Sequence, residues 1–298
     1  MGSRYEEVKT LLLKIMTNYY QVGQHIFRLC GEEEVFAQMN NYAPFTSAAT
    51  DDVVFSLTVG RGDAPDYTEE IRQDDEGQVI ICGRTPKGEP VFEYRWGDRT
   101  AGWLVCDVDY HHSRLIVTDG YLKLAVDNAL MVLFALATAR LQTALFHAAT
   151  VSYKDGAYMF LGKSGTGKST HARLWQQAIE GVELVNDDNP VVRIMDDGQA
   201  RVFGSPWSGK TPCYRSVSYP LKGIVLLSQA PYNKIERLRG IQAYAALVPS
   251  ISGKRWDEQI ADGLHATENA LASHVPVWQL ECLPDEDAAR TCKEAITA

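Results

Sequence analysis

The chain has 298 residues, of which 45% are hydrophobic and 22% are charged, and its formal net charge at pH 7 is −9. A chain of this length buries a large core and is expected to form one or two domains. The acidic balance argues against a surface that binds a nucleic-acid backbone, so no nucleic-acid partner is expected.

Residues 1–118 predict a β-rich domain that begins with one helix. Charged residues and leucines at helical spacing predict this helix over residues 5–16, and the segment lacks the apolar region of a secretory signal. Short runs of apolar or alternating residues predict antiparallel strands at 53–59, 79–82, 91–96, 103–106 and 114–117. No role is assigned to this domain from its sequence.

One group of residues in this first part has the residue types of a metal site. Asp107, Asp109, His111 and His112 lie between two predicted strands. A metal site needs further side chains that hold its ligands in place, and short runs do not reveal them. A solvated turn is therefore the preferred interpretation.

Residues 119–146 predict a helical bridge. Apolar residues within 119–145 fall at helical spacing and predict one long helix or two short ones. The longest apolar stretch, between Asp127 and Arg140, is too short to span a bilayer, so a buried helix and no membrane partner are expected. Six cysteines without a C-x-x-C pair suit a reducing compartment, and a cytoplasmic location is expected.

The strongest signal is Gly-Lys-Ser-Gly-Thr-Gly-Lys-Ser at residues 162–169, which fits the phosphate-binding pattern G-x-x-x-x-G-K-[ST] at every position. An apolar run at 157–161 precedes it, and a helix is predicted at 169–177. Backbone N–H groups and the helix N-terminus would hold a triphosphate, with Lys168 at the β- and γ-phosphates and Ser169 at Mg²⁺. The predicted cofactors are ATP and Mg²⁺, and the predicted cofactor-binding residues are Gly162, Lys163, Ser164, Gly165, Thr166, Gly167, Lys168, Ser169 and Thr170.

The strand before this loop is predicted to be the second strand of a hairpin. Asp155-Gly156 stands between two apolar runs, which is a strong hairpin signal. The predicted neighbour is therefore antiparallel. A P-loop ATPase of another family remains an alternative, and it predicts a parallel neighbour instead.

Two acidic residues follow the next predicted strand, at 182–185. Asp187 and Asp188 lie nineteen and twenty residues after Lys168, where the carboxyl ends of strands open into one crevice. Adjacent carboxylates at a strand end point to different sides, so one is expected to face a metal ion and the other an acceptor hydroxyl. His147 precedes the hairpin and is expected to lie near the loop, where an imidazole can hydrogen-bond to a carboxylate or a phosphate oxygen.

A Gly/Pro/Trp-rich segment supplies the candidate cations for phosphate. Phosphoryl transfer needs positive charge against the phosphate oxygens. Lys210 is the preferred candidate and Arg215 the second. Trp207 either stacks on a substrate or packs in the core.

The rest of the chain predicts further strands and helices. These are a hairpin at 190–195 and 199–203, a strand at 223–227, helices at 241–247 and 256–273, a strand at 277–282, and a last helix from Asp285.

The order of these motifs resembles the catalytic domain of HPr kinase/phosphorylase, whose fold is shared with phosphoenolpyruvate carboxykinase. The resemblance rests on His147-Ala148-Ala149, the loop at 162–170 and Val185-Asn186-Asp187-Asp188. It implies an α/β fold of α+β character, with a carboxykinase-like P-loop domain and mixed sheet over 147–298 beside the β-rich N-terminal domain. It also implies that Asp187 is the base that deprotonates an acceptor serine, that Asp188 and Ser169 belong to the metal environment, and that His147 lies beside the acids and the γ-phosphate.

The chain departs from that family at two places. Thr170 stands where the bifunctional HPr enzymes carry Glu, and their Arg-Gly-Leu-Gly signature is absent. Gly204-Ser205-Pro206-Trp207 occupies about that region and is similar to a loop of shorter HPr-kinase-like proteins, some of which act on free serine or on a serine of a precursor peptide. HPr is therefore not the expected acceptor.

The sequence thus predicts an ATP- and Mg²⁺-dependent kinase that transfers the γ-phosphoryl group to a hydroxyl, with serine of a peptide, a protein or the free amino acid as the acceptor. The expected catalytic residues are Asp187, His147, Lys168 and Lys210. Two further alternatives remain, a phosphoenolpyruvate carboxykinase-like enzyme and a non-catalytic nucleotide-binding sensor. The expected partners are a nucleotide and a small-molecule, peptide or protein acceptor, and a homo-oligomer is left open.

Overall fold

The computed structural model describes residues 15–75, 77–209 and 211–297. Within them, a first nine-stranded sheet has the order β3-β1-β2-β4-β9-β8-β7-β6-β5. Its strands are β1 (Ile15–Val22), β2 (His25–Glu32), β3 (Thr46–Ser47), β4 (Phe55–Gly60), β5 (Thr68–Asp75), β6 (Gln78–Arg84), β7 (Pro90–Trp96), β8 (Arg99–Cys106) and β9 (His112–Val117). Strand β4 runs parallel to both of its neighbours, and the other pairings are antiparallel.

The beginning of this sheet differs from the sequence prediction. Ile15 and Met16, at the end of the predicted N-terminal helix, belong to strand β1, and the rest of that helix lies outside the described residues. The short helix α1 (Glu33–Ala37) follows β2, and a 3₁₀ helix (Asn40–Phe45) leads into β3.

The second helix, α2 (Leu122–Thr138), is the central element of the core. It packs on β4, β8 and β9 of the first sheet. The strand β10 (Thr143–Leu145) follows it, so the end of the predicted helical segment is a strand. A 3₁₀ helix (Ala139–Leu141) continues α2. Together they form a helical stretch of 20 residues, Leu122–Leu141, with a mean hydropathy of 1.6, which is enough by length and composition to cross a membrane. Two-thirds (67%) of its most apolar window is buried inside the molecule, as in a core helix.

The second sheet also has nine strands. It carries the glycine-rich loop of residues 162–169, which is called the phosphate loop below after the pattern that it matches. Seven of them have the order β10-β14-β15-β16-β12-β11-β13, β18 pairs with β16, and β17 pairs with β18. The strands are β11 (Ala149–Tyr153), β12 (Gly156–Leu161), β13 (Val182–Asn186), β14 (Val191–Ile194), β15 (Ala200–Phe203), β16 (Ser218–Gln229), β17 (Lys234–Leu238) and β18 (Val277–Cys282). The helices are α3 (Lys168–Ala178), α4 (Ile241–Leu247), α5 (Glu258–His274) and α6 (Glu286–Ile296).

Strand β12 is buried along its whole length because both of its faces are covered. Met159 and Leu161 point into the large core that also contains α2 and the first sheet. Tyr158 and Phe160 point into a second core under α3 and α6, where both rings contact Trp175. A strand that alternates between two cores has a fixed register, since a slip by one residue would exchange its faces.

The fold is therefore mixed α and β with two mixed sheets, in agreement with the α+β character expected from the sequence. The division into segments 1–118, 119–146 and 147–298 stays a prediction. One hydrophobic core includes side chains from both sheets and from α2.

Candidate functional site

The phosphate loop lies between the end of β12 and the start of α3, as the sequence predicts. β12 pairs antiparallel with β11 through the predicted hairpin and parallel with β16. Gly162, Gly165 and Gly167 have φ values of 152°, 77° and 109°, which residues with a side chain adopt at a cost. A Cβ atom on Gly162 would also lie 3.1 Å from the Thr166 side chain. The glycines are therefore required by this turn.

The start of α3 leaves backbone N–H groups without an acceptor inside the helix. The first N–H donor within α3 is that of His171, which donates to the Gly167 carbonyl oxygen at 2.8 Å. The amides of the helix's first turn precede that bond and have no acceptor within the helix. Such amides, together with the helix dipole, form a site for an anion.

Lys168 and Ser169 begin this helix. The Lys168 side chain is buried, and its Nζ donates to the carbonyl oxygens of Gly162 and Lys163 at 3.0 and 3.4 Å. The ammonium thus lies over the loop. The Ser169 hydroxyl donates to the carbonyl oxygen of Asp187 at 3.4 Å, so α3 and the end of β13 meet here.

Asn186 holds the two acidic residues in place, although sequence reasoning gave it no role. Its Oδ1 accepts hydrogen bonds from the N–H groups of Asp188 and Asn189, which forms the tight turn after β13. Its Nδ2 donates to the Ser205 hydroxyl at 3.0 Å and to the Trp207 carbonyl oxygen at 3.2 Å. The amide is fully buried, so it fixes both the acidic turn and the start of the β15–β16 loop (residues 204–217).

The two carboxylates have different partners, as expected for neighbours at a strand end. Asp187 is buried, and its Oδ1 accepts hydrogen bonds from the Ser208 hydroxyl at 2.9 Å and the Gly209 N–H at 2.8 Å. Its Oδ2 accepts from the Thr211 N–H at 3.0 Å. Lys210, the predicted phosphate cation, lies outside the described residues, although both of its neighbours contact Asp187.

Asp188 faces His147. The His147 Nε2 lies 3.6 Å from the Asp188 Oδ1, and both side chains are about two-fifths exposed. The backbone places His147 between β10 and β11, where its N–H donates to the Ser250 carbonyl oxygen. The Asn189 Nδ2 donates to the other Asp188 oxygen at 2.8 Å. The predicted neighbourhood of His147 and the acids is thus present.

Two other residues of the same segment, Arg215 and Trp207, make structural contacts. Arg215 donates to the Glu183 carboxylate at 2.7 Å and to the Leu184 carbonyl oxygen at 2.9 Å, along β13. Trp207 is buried, and its indole N–H donates to the Tyr42 hydroxyl at 2.9 Å. Arg215 is therefore held at β13, and Trp207 packs in the core.

His171 lies in the first turns of α3, just after the loop, and packs against strand β12. It accepts a hydrogen bond from the Trp175 indole at 3.1 Å and meets the Phe160 ring edge to face. Burial lowers the pKa of His171 to about 4, so the imidazole is neutral at pH 7. In the sequence, the position of His171 one turn into an amphipathic helix is the signal that could have predicted its burial.

A cavity of about 580 Å³ opens beside the loop. Its walls include Gly165, Thr170, Leu174, Gln229 and Pro231. Gln229 also donates to the Gly165 carbonyl oxygen at 3.3 Å, which ties the end of β16 to the loop. Largely apolar walls with a few polar groups, next to an anion site, are typical of small-molecule sites.

The comparisons with known proteins give a family and no curated relative. The family model described as SynChlorMet cassette protein ScmC matches residues 104–282, which is more than half of the chain. The chain belongs to the ScmC family. The match to ScmC runs from within β8 to the end of β18 and includes the phosphate loop and the acidic pair. A search of the curated proteins found none that matches this chain.

Proposed function

We propose that this ScmC-family chain is an ATP- and Mg²⁺-dependent kinase that phosphorylates a hydroxyl group, with a carboxykinase-like P-loop domain related to HPr kinase. One observation carries the proposal. The phosphate loop and the Asp187–Asp188 turn meet at one edge of the second sheet, where Ser169 contacts the Asp187 backbone at 3.4 Å. A phosphate-binding loop beside buried and half-exposed carboxylates is the arrangement that phosphoryl transfer to a hydroxyl requires.

The residues around the loop fit a nucleotide and Mg²⁺. The cavity beside the loop has the size and apolar walls that a nucleoside needs, and the first-turn amides of α3 suit its phosphates. Mg²⁺ takes oxygen ligands and keeps several waters and phosphate oxygens, so one hydroxyl and one carboxylate from the protein suffice. Ser169 and Asp188 supply these, and no cluster of three or more metal-binding side chains occurs in the described part of the chain. A metal that arrives with the nucleotide would neutralise phosphate charge.

The chain's own groups have distinct tasks in this scheme. Lys168, already over the loop, would place its charge on the terminal phosphates. Asp187 would accept the proton of the acceptor hydroxyl as the oxygen of that hydroxyl gains the phosphoryl group, and ADP would leave. His147 would orient Asp188 and contact the transferred group. Most of the rate enhancement would come from positioning and charge neutralisation.

A non-catalytic nucleotide sensor is the second candidate, and the state of Asp187 favours it. Four donors of the β15–β16 loop already contact the Asp187 carboxylate: the Ser208 hydroxyl, the Gly209 and Thr211 N–H groups and, at 3.9 Å, the Cys213 thiol. A kinase must displace at least the Ser208 hydroxyl before an acceptor hydroxyl takes its place. A sensor needs no such movement. The topology supports neither candidate over the other. Strand β12 has both an antiparallel neighbour, β11, and a parallel one, β16, so the strand pairing does not decide against a P-loop ATPase of another family.

The test uses labelled ATP with Mg²⁺ and a panel of acceptors that contains serine, threonine, sugars, serine peptides and a cell extract. A kinase yields a labelled phosphomonoester with at least one acceptor. A sensor binds ATP but transfers no label to any of them. Turnover of oxaloacetate in a parallel assay would instead indicate a carboxykinase-like enzyme.

The proposed function also has a consequence for the location of the protein. We propose a cytoplasmic kinase, because ATP is available there and because all six cysteines, which lie in the described residues, are free thiols.

A further inference from the structure

A second cavity lies between the two sheets and is separate from the cavity beside the loop. Its volume is about 310 Å³. Ile80 and Phe92 of the first sheet, Met131 of α2 and Leu145 of β10 form apolar walls. His147 lines one part of the cavity and Lys254 another. The cavity therefore reaches the residue that lies 3.6 Å from Asp188.

Lys254 is an unusual wall residue, because a lysine is seldom fully buried without a partner. Only 3% of its surface is exposed. Within the described residues, its ammonium forms no ion pair or hydrogen bond, and its one contact of note is with the Trp256 ring at 5.8 Å from the centroid. Burial is the main cause that lowers the pKa of Lys254 from its usual value.

The charged groups near Lys254 already have other partners. Glu70 pairs with Arg84 at 3.0 Å, and Asp257 accepts a hydrogen bond from the Tyr110 hydroxyl at 3.2 Å. The two carboxylates raise the Lys254 pKa less than burial lowers it, and Arg84 lowers it further. An ammonium on a largely buried side chain, at the wall of a cavity and without a carboxylate of its own among the described residues, is costly, so a ligand anion is the natural partner.

The chemistry of the wall indicates a carboxylate. A phosphate carries close to two negative charges and is typically bound by several donors or by an arginine fork. Among the described residues that line the cavity, Lys254 is the one lysine, none is an arginine, and Gln73, Ser250 and Ser252 are neutral polar residues. Arg84, whose charge lowers the Lys254 pKa, is engaged with Glu70 and with the Gly88 carbonyl oxygen. One lysine beside neutral polar and apolar groups matches one carboxylate on a small, partly apolar molecule.

We propose that this cavity binds the phosphoryl acceptor as a small hydroxy acid, with its carboxylate on Lys254 and its hydroxyl end toward His147 and the acidic turn. The carboxylate site stands on the cavity itself, whereas the identification of its ligand as the acceptor rests on the proposed kinase function. Free serine, an N-acylated serine and a peptide with a C-terminal serine all have this chemistry. The nucleotide would then approach from the α3 side and the acceptor from the side of the first sheet.

The experiment measures binding to the full chain without nucleotide, by calorimetry and ligand-observed NMR. The probes are N-acetyl-L-serine and D-glycerate, with N-acetyl-L-serinamide as the uncharged match and inorganic phosphate as a competing anion. The variant Lys254→Met keeps an unbranched side chain that is one atom shorter and removes its charge. Lys87→Met is the matched control, because Lys87 lies in the exposed turn after β6 and does not line the cavity.

We expect at least one carboxylate probe to bind wild-type protein and to lose at least tenfold in affinity in Lys254→Met, but not in Lys87→Met. The serinamide should bind at least tenfold more weakly than N-acetyl-L-serine to wild type. Without ligand, Lys254→Met should keep its Tm or gain a few degrees, since it removes a buried charge. The inference is overturned if neither carboxylate binds, if acid and amide bind wild type alike, if Lys254→Met binds as wild type does, or if phosphate binds more tightly than both carboxylates.

The same samples separate this inference from the kinase proposal. Carboxylate binding that depends on Lys254, without any phosphoryl transfer, would support the site and refute the kinase. Transfer to hydroxyl acceptors that is equally fast in Lys254→Met would support the kinase and overturn the assignment of the cavity. The comparison of acid and amide on wild type decides the matter even if a variant folds poorly.

Discussion

The Asp187 carboxylate is the residue on which the proposed chemistry depends, and its hydrogen bonds define what must move. Its Oδ1 is 2.9 Å from the Ser208 hydroxyl, the position that an acceptor hydroxyl would take before transfer. The Gly209 and Thr211 N–H groups stabilise its negative charge from the other directions. In the proposed reaction an acceptor hydroxyl would therefore have to displace Ser208 from this position.

Replacing Ser208 with Ala tests this relation. The substitution removes a competing hydroxyl and leaves the carboxylate and both N–H donors in place. We expect kcat/KM for the acceptor to stay the same or rise by up to about tenfold, which is about 1.4 kcal/mol at the transition state. Steady-state kinetics with an acceptor from the panel would measure it. A loss of more than tenfold would show that Ser208 assists transfer.

His171 gives a pH dependence to stability. Its pKa is lowered from 6.5 to about 4 in the folded chain, so the unfolded chain binds the proton first as the pH falls. The stabilisation is fully present above about pH 6.5 and is lost as the pH falls toward 4. His171→Gln can still accept the Trp175 N–H and does not titrate. Between pH 7.5 and 5, wild type should lose about 2 kcal/mol more unfolding free energy than this variant.

Urea unfolding at the two pH values measures the difference. His274→Gln is the control, because His274 is exposed at the end of α5, where its Nδ1 lies 2.9 Å from the Ala270 carbonyl oxygen. That variant should follow wild type. Equal losses in wild type and His171→Gln would contradict a neutral buried imidazole behind the loop.

At the scale of elements, the strand–loop–helix unit is set by local sequence. Strand β12 is fully apolar, the loop glycines allow its turn, and α3 begins at Lys168. These features were predictable because each depends on neighbours in sequence. The same holds for the hairpins with Asp-Gly turns and for α4 and β18, whose ends match the predicted bounds.

Other elements were missed for physical reasons. Strand β5 lies at the edge of the first sheet, next to β6, and its residues 68–74 are exposed. Charged residues therefore predominate in it, and it lacks the apolar pattern of a buried strand. Strand β10 has three residues, too few to show a period. The hydrogen bonds of Asn186 and the burial of Lys254 depend on chain segments far apart in sequence, and no local pattern reports them.

Gly167 provides a test at this scale. It has φ 109° and ψ 22° at the N-cap of α3, where a side chain is strained by about 1–2 kcal/mol. Gly167→Ala should shift the first-turn amides and weaken ATP binding by at least tenfold, as measured by calorimetry. Gly181, at φ 80° in the turn after α3, is the matched glycine, with open space at its Cβ position. Gly181→Ala should lose similar stability but keep its ATP affinity, and equal effects on affinity would argue against the loop as the phosphate site.

At the scale of the whole molecule, the first sheet and the phosphate-loop sheet contribute side chains to one hydrophobic core, and hydrogen bonds connect segments of the two. Tyr42, from the segment before β3, is fully buried and accepts the Trp207 indole N–H at 2.9 Å. Asn41 donates to the Pro206 carbonyl oxygen at 3.0 Å. The β15–β16 loop, which donates hydrogen bonds to Asp187, is thus hydrogen-bonded to the 3₁₀ helix that leads into β3 of the first sheet. The proposed acceptor cavity also has walls from both sheets.

Removing the Tyr42 hydroxyl tests this coupling. Tyr42→Phe leaves the buried Trp207 N–H without its acceptor, which costs about 1–3 kcal/mol. We expect the Tm to fall by roughly 3–9 °C, with wild type and variant each unfolding in one calorimetric transition. Tyr232→Phe, at an exposed tyrosine, should leave the Tm unchanged. Two separate transitions, of which only one shifts, would contradict a shared core.

The measurement closest to the central claim is ³¹P NMR of the complete reaction, with ATP, Mg²⁺ and an acceptor from the panel. If the chain is a kinase with Asp187 as its base, a phosphomonoester signal will grow in step with ADP. Asp187→Asn should lower the rate at least a thousandfold, about 4 kcal/mol, while ATP affinity stays within about threefold of wild type. ADP formed with inorganic phosphate alone, an unchanged rate in Asp187→Asn, or the absence of any turnover despite tight ATP binding would contradict it.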